Sequence, residues 1–344
     1  MRVGMYYRNS DVRLEQMPKP EAGEGEILLK VIASGICGTD IIEWYRIHRA
    51  PLVLGHEVAG EITKTGPGVT KYKIGDRIAV SHHVPCGSCR FCLSGHETAC
   101  DTLRKTNFFP GGFSEYVRVP KINVEKGVYP IADEVSYEEA TFAEPLACVL
   151  RGQKISGVKA GDSVLVIGSG ISGLLHIKLA KARGVKKVFA TDLSDFRLKA
   201  AERFGADFVF RAKDFNPEDI KPLNDNFLAD KVLVCTGAES ALRQALKSVE
   251  RGGTVLFFAC TDKGITIPLS INDVFWRNDI TLTTSYAGSP EDHLEALELI
   301  KSGRVKVKDM ITHRFSLAEI QEGFGLVREA KESIKVIIEP QKKG

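Results

Sequence analysis

Residues 163–192 read SVLVIGSGISGLLHIKLAKARGVKKVFATD, and this stretch decides the fold class. SVLVI is an unbroken apolar run, as in a strand buried on both faces. Gly168, Gly170 and Gly173 then spell G-x-G-x-x-G, and the helical pattern ISGLLHIKLAKARG follows directly. Gly168 permits a tight turn, Gly170 lets a pyrophosphate approach the backbone, and Gly173 lets helix and strand pack closely. A helix N-terminus offers unpaired N–H groups and a positive dipole end to phosphates. Asp192 ends the next strand, 19 residues beyond Gly173. A carboxylate there bonds the ribose hydroxyls of NAD and repels the 2′-phosphate of NADP. Arg197 is placed to stack on the adenine or to soften that repulsion. Ile171 and Ser172, inside the motif, and Thr236, after the strand KVLVC, complete the expected cofactor-binding set. The bland alternative is a glycine turn without a dinucleotide; it leaves the strand, the helix and the distant acid unexplained together.

The same alternation continues downstream. KKVFATD, KVLVCTG and TVLFFAC read as strands, and DFRLKAAERFG and ESALRQALKSVERG as helices. Strand and helix in turn predict right-handed βαβ units around a doubly wound parallel sheet, an α/β fold. Upstream the texture differs. EILLKVIASG, HEVAGEITKTG and the turn-rich GPGVTKYKIGDRIAV make the first 140 or so residues β-rich, with Gly75-Asp76 as a turn. After about residue 285 come the helices PEDHLEALELIKSG and SLAEIQEGFGLVREA and the strand SIKVIIEP. Lys342, Lys343 and Gly344 read as a frayed tail.

A length of 344 residues favours two domains, each able to bury a core. Hydrophobic content of 43% and charged content of 26% are ordinary for a soluble globular protein. A formal net charge of +3 with mixed signs gives no basic field for nucleic acid. The opening MRVGMYYRNSDVRLEQ lacks the apolar core of a signal peptide, and no apolar run is long enough to span a membrane. A cytoplasmic location is expected.

Four of the eight cysteines, Cys86, Cys89, Cys92 and Cys100, fall within fifteen residues. Four thiolates from one loop suit a closed tetrahedral zinc site, and an iron–sulfur cluster is the competing reading. Three further pieces look like one open metal site. They are GICGTD with Cys37, Thr39 and Asp40, then LGHE with His56 and Glu57, then AEPLAC with Glu144 and Cys148. A catalytic zinc takes three protein ligands and keeps a position free for water or substrate. Cys37, His56 and a carboxylate satisfy that need. Singly, each piece is bland: a buried Cys is usually a small hydrophobe, and a lone His or Glu is usually structural. Their joint presence beside a cysteine loop and a nucleotide fold lifts them.

Together, GICGTD, LGHEVAGEI, GPGV…GDRI, CGSCRFCLSGHETAC, AEPLAC and VLVIGSGISG resemble the zinc-dependent medium-chain dehydrogenase/reductase family, in its sorbitol (polyol) and threonine dehydrogenase branch. The resemblance spans essentially the whole chain. It implies a GroES-like catalytic domain at 1–147 and 286–344, interrupted by a Rossmann NAD-binding domain at 148–285. It implies two zinc ions per subunit, one structural on the four cysteines and one catalytic. Cys37 and His56 match catalytic ligands, Glu57 a carboxylate that ligates zinc or holds its water, and Glu144 the acidic third-ligand position. Thr39 matches the hydroxyl that takes the substrate proton. Asp40 orders the loop, and Cys148 is read as a packing residue. Where conventional members carry a relay histidine, this chain has Ile42, so the relay must differ.

The substrate is less legible. IIEWYRIHRAPLVLG, between Cys37 and His56, is expected to wall the pocket, and Glu43, Trp44 and Tyr45 suit a polyol or sugar derivative. Arg46, His48 and Arg49 either hold a phosphate or carboxylate or form a solvated loop. His82 and His83 are read as structural. The expected activity is hydride transfer from a secondary alcohol to NAD. An amino-alcohol (threonine-type) dehydrogenase is the in-class alternative, and a non-catalytic NAD-binding relative the alternative from another class. The expected partners are a small hydroxylated substrate and further copies of the chain, as a homodimer or homotetramer, with DVFWRNDITLTTSYAG offering an edge strand.

Overall fold

The structure is a computed structural model that describes residues 1–343; Gly344, the end of the expected tail, lies outside the described residues. The chain forms two compact units, one of Met1–Ala147 with Ala287–Gly344 and one of Cys148–Tyr286. The first segment carries strands β1 (Arg2–Arg8), β2 (Asp11–Gln16), β3 (Ile27–Gly35), β4 (Leu52–Val53), β5 (Glu57–Thr65), β6 (Arg77–Val80), β7 (Tyr116–Val119) and β8 (Val128–Pro130). The middle unit carries β9 (Ser163–Ile167), β10 (Lys187–Asp192), β11 (Phe208–Arg211), β12 (Ala229–Val234), β13 (Val249–Phe257) and β14 (Thr281–Thr284). The chain then returns to the first unit with β15 (Ile311–Phe315) and β16 (Lys335–Ile338).

In the first unit, β15, β16, β3, β5, β6 and β8 form one sheet in that order, and β7 pairs with β3. Apolar side chains of β3, Ile27, Leu29 and Val31, pack with Ile62, Ile78, Val117 and Val119. The antiparallel register sets Gly35 opposite Glu57 and Ser34 opposite Val58. The loop leaving β3 therefore begins beside the first residue of β5. On the other flank Ile337 pairs with Gly35, and the Ile36 N–H donates to the Val336 carbonyl at 3.0 Å.

The second unit is one parallel sheet, ordered β11-β10-β9-β12-β13-β14. Helices Ile171–Ala182, Asp195–Arg203 and Glu239–Ser248 alternate with its strands. Its core gathers Leu165, Phe189, Val232, Leu242, Ala245 and Val255. One boundary differs from the sequence reading: the helix expected through Gly252 stops at Ser248, and Val249 already opens β13. Val249 is β-branched and pairs with Ala229 of β12, so sheet pairing overrides the helical pattern there. At the C-terminus the Lys342 N–H donates to the Glu339 carbonyl at 3.0 Å, so that residue is tethered. Among the described residues, no helix is long and apolar enough to cross a membrane.

Candidate active site and metal centres

The β3–β5 pairing delivers one cluster. Cys37 leaves the end of β3, while His56 and Glu57 enter β5, and the ligand atoms of all three lie within 4.8 Å of one another. Glu144, in the first turn of the helix Ala143–Ile155, is not part of that set; it lines a recess with Val58, Val80, Tyr129, Thr141 and His293. Glu57 is thus the carboxylate that shares one set of ligand atoms with Cys37 and His56.

Asp40 organises the cluster from beneath. It is fully buried, and its Oδ2 accepts from the Cys37 N–H at 3.0 Å. Its Oδ1 lies 3.4 Å from His56 Nδ1. Burial works to neutralise Asp40, but the His56 charge and hydrogen bond, then Arg46, outweigh it and hold the carboxyl below its ordinary value. For His56, burial opposes the charged ring, yet Asp40 and then Cys37 hold its pKa well above the usual value. With Nδ1 turned to Asp40, the other ring nitrogen is left for a metal, the usual arrangement behind a histidine ligand. Thr39 Oγ1 donates to Cys37 Sγ at 3.3 Å.

Glu57 has a partner that local sequence does not disclose. Lys335 opens β16, is 0% exposed, and its ammonium donates to Glu57 Oε2 and to the Ile36 carbonyl, the latter at 3.3 Å. The pair is buried on both sides, which suits ammonium and carboxylate only because each neutralises the other. Oε1 of Glu57 is left for a metal. The one signal in the sequence was a lysine inside the apolar run IKVII.

His82 and His83 stand next to the cluster, the His82 ring 4.8 Å from that of His56 and 3.8 Å from that of His83. Burial, then the neighbouring His83 and His56, push His82 well below its ordinary pKa. Burial, then His56, pushes His83 down to about 4. Both are therefore neutral near pH 7.

Cys86, Cys89, Cys92 and Cys100 form a second cluster with all four sulfurs within 4.8 Å of one another. Cys86 Sγ is 3.9 Å and Cys89 Sγ 3.5 Å from Cys92 Sγ. Tetrahedral zinc with Zn–S of about 2.3 Å sets sulfurs about 3.8 Å apart, so the spacing fits. The Ser88 N–H and hydroxyl, then the Cys89 N–H, point at Cys86 Sγ and lower its pKa to about 5. Such donors favour the thiolate form that binds metal.

In the middle unit, the glycine loop follows β9 and opens the helix Ile171–Ala182, whose N-cap is Gly170. A Cβ on Gly173 would lie 2.0 Å from the Gly168 carbonyl oxygen, so only glycine allows this helix–loop approach. Asp192 ends β10; its two oxygens accept from the Ser169 and Ser194 N–H groups at 2.8 and 2.9 Å. Arg197 Nη1 lies 4.0 Å from that carboxylate. Thr236 packs against Gly168, its Cβ 3.0 Å from where a Cβ of Gly168 would stand. Burial raises the Cys235 thiol above its ordinary range, against a hydrogen bond with Ser172 that works to lower it. Ile171 opens the helix itself.

Comparison with known proteins places both units. The alcohol dehydrogenase GroES-like domain pattern matches residues 23–131, and the zinc-binding dehydrogenase pattern matches residues 172–302. The chain is 32% identical to sorbitol dehydrogenase of Gallus gallus, over 96% of this chain and 94% of that protein. It is 32% identical to L-threonine 3-dehydrogenase of Bacillus licheniformis, over 92% of each. The crystal structure of galactitol-1-phosphate dehydrogenase from Escherichia coli superposes with a TM-score of 0.87 at 25% identity, covering 99% of this chain and 100% of that one.

Proposed function

The chain belongs to the zinc-dependent medium-chain dehydrogenase family and is an oxidoreductase of its alcohol and polyol dehydrogenase class; from that premise we propose that it oxidises a secondary alcohol flanked by polar groups, with NAD as hydride acceptor and two zinc ions per subunit. The observation that carries the site assignment is the meeting of Cys37, His56 and Glu57 within 4.8 Å, with the Thr39 hydroxyl 3.3 Å from the thiol. A thiol, an imidazole and a carboxylate form a donor set that zinc favours. We assign Cys37, His56 and Glu57 Oε1 to the metal, with Glu144 as the further carboxylate of the site. Cys86, Cys89, Cys92 and Cys100 hold the second, structural ion.

Bound there, zinc supplies a Lewis acid that polarises and acidifies a hydroxyl. The residues of the chain do the rest. Asp40 fixes the His56 ring through Nδ1. Lys335 neutralises Glu57 and holds its Oε2. Thr39 Oγ1 donates to Cys37 and accepts from Arg46 at 3.4 Å, which leaves one lone pair for the substrate hydroxyl. For the proton to pass on to water the Thr39 O–H would turn from Cys37 Sγ, to which it donates in the structure, since Ile42 has no acceptor and a guanidinium takes none. Bound NAD would supply the hydride acceptor, so that a secondary alcohol and NAD would give a ketone, NADH and a proton. Gly168, Gly170, Ile171, Ser172, Gly173 and Thr236 would cradle the dinucleotide, with Asp192 to take the adenosine ribose and Arg197 to meet the adenine.

The L-threonine 3-dehydrogenase likeness supports a second reading, oxidation of a hydroxy amino acid at the same site. β14 ends the six-stranded sheet with an unpaired edge, and Ile271 and Trp276 near it are each 66% exposed, which supports a homodimer or homotetramer. Reduced metal-binding thiols fit a cytoplasmic location.

The test is NADH formation across polyols, sugar-alcohol phosphates, hydroxy amino acids and simple alcohols, with and without a chelator. Chelator-sensitive activity on a polar secondary alcohol is expected. Activity untouched by metal removal would overturn the metal assignment. A higher kcat/KM with NADP than with NAD would overturn the role given to Asp192.

A further inference from the structure

Arg46 stands on the short helix Glu43–Arg46 inside the loop that joins the two halves of the metal cluster. Its side chain is only 14% exposed, unlike an arginine on a solvated turn. Nε donates to the Thr39 carbonyl at 3.1 Å, and Nη2 donates to Thr39 Oγ1 at 3.4 Å. Asp40 Oδ1 is 3.8 Å from Nη2, but that carboxylate already accepts from the Cys37 N–H and faces His56. The remaining edge, Nη1 with its two N–H groups, donates to no group among the described residues.

A second cation lies close by. Arg46 and Arg49 both stack on the Tyr45 ring, with guanidinium carbons 4.7 and 5.5 Å from its centroid. The nearest acid on this helix is turned away, since Glu43 Oε2 accepts from the Asn9 N–H at 2.9 Å. Beside the reacting hydroxyl the loop thus presents an anchored guanidinium edge, with another guanidinium behind it.

We propose that Arg46 is a specificity residue that binds an oxyanion of the substrate, a phosphate or carboxylate carried close to the carbinol carbon. The proposal rests on the dehydrogenase reading and narrows its substrate class. Arginine is suited to this work because its planar fork matches carboxylate and phosphate oxygens two at a time and keeps its charge at any working pH. An oxyanion about 2.8 Å from the free edge and a hydroxyl bonded to Thr39 belong to one small molecule, because a single guanidinium bridges them. A neutral polyol leaves that edge and its charge without a partner as water is displaced, which is where discrimination arises.

The test pairs neutral and charged substrates on the zinc-loaded enzyme. One arm sets polyols against their phosphate monoesters. The other sets simple diols against 3-hydroxy carboxylates, including L-threonine, and the two arms tell phosphate from carboxylate. The expected result is a preference of about a hundredfold or more in kcat/KM for one charged class. Arg46→Met removes that preference, lowering kcat/KM for the charged class at least about tenfold more than for neutral substrates, with the extra loss in KM; Arg46→Lys restores part of it. Isothermal titration with inorganic phosphate and with acetate gives a second readout that needs no turnover, with binding to the wild type weakened in Arg46→Met. Equal loss on neutral and charged substrates would make Arg46 a mere clamp on the Thr39 loop and overturn the proposal. So would a rise in KM for NAD alone, which would give the guanidinium to the cofactor. If no alcohol is oxidised, the dehydrogenase reading falls by itself, and the anion titration still decides for or against Arg46.

Discussion

At the scale of single residues, the proposed site divides into groups assigned to the metal and groups that hold those in place. Cys37→Ser and His56→Ala are expected to abolish NADH formation and empty the catalytic metal position, while NAD affinity, set by residues of the other unit, stays. Unchanged turnover in either variant would sink the assignment. Glu57→Gln is expected to do more, because it strands the ammonium of Lys335, which is 0% exposed. Breaking one side of a buried pair costs about 3–5 kcal/mol, so both Glu57→Gln and Lys335→Met should lower the unfolding midpoint in urea. Glu144→Gln should lower metal content with little change in that midpoint. The local parts of this site were readable from spacing: four cysteines in one loop, three glycines in one turn, an acid at a strand end. Lys335 was not, because it lies 278 residues from Glu57 in the chain, and only the strand pairing on both flanks of β3 brings them together. The choice between Glu57 and Glu144 was equally closed to spacing, since both are acids beside a motif.

At the scale of elements, the helix Ile171–Ala182 shows how one structure serves two purposes. Its first turn, with Gly173, is the one assigned to the dinucleotide, while Leu174, Leu175, His176 and Ile177 in its middle are buried. His176 sits there at 0% exposure, edge-on to Phe258 with ring centroids 4.7 Å apart, and burial pushes its pKa down to about 3. The unfolded chain binds a proton on this residue near pH 6.5 and the folded chain does not. Stability is therefore intact above pH 6.5 and falls as the pH drops below it, until the folded-state value near 3 is reached. At pH 5 the loss is about 2 kcal/mol. His176→Leu should flatten the fall in urea-unfolding free energy between pH 7 and pH 5 by about that amount, and an unchanged slope would mean that the ring is protonated in place. The alternation of strand and helix around this element was legible because every strand of a parallel sheet is an apolar run followed by a crossover. The junction at Ser248–Val249 was not, because KSVERGG carries a helical pattern whose end is decided by pairing with β12. The β1–β2 hairpin also escaped the reading: RVGMYYR and DVRLEQ interleave charged and apolar residues, and the register that pairs them is visible only in three dimensions.

At the scale of the whole molecule, the two units differ in how their chain is laid out. The dinucleotide unit is continuous, Cys148–Tyr286, with a parallel sheet and an apolar cluster of its own. The GroES-like unit is discontinuous, and its described residues from β15 onward, 311–343, are structural in the strict sense. β16 lies between β15 and β3 in the sheet. Leu317, Ile320, Phe324, Val336 and Ile338 share a core with Val3, Tyr6, Val53 and Phe113. The Val336 carbonyl anchors the residue before Cys37, and Lys335 neutralises the residue after His56. Cutting the chain at residue 310 removes all of these contacts at once. It strips apolar cover worth about 1.5–3 kcal/mol per buried side chain and leaves the Glu57 charge buried without a partner. A protein ending at 310 should therefore be protease-sensitive in residues 1–147 and should fail to retain metal at Cys37 and His56. Residues 148–286 produced alone should unfold in one cooperative step and still bind NAD. Limited proteolysis, metal content and NAD titration on the two pieces decide the matter. A soluble 1–310 chain with a full catalytic metal content would show that the N-terminal strands are self-sufficient and that the return of the chain to β16 is not what builds the site.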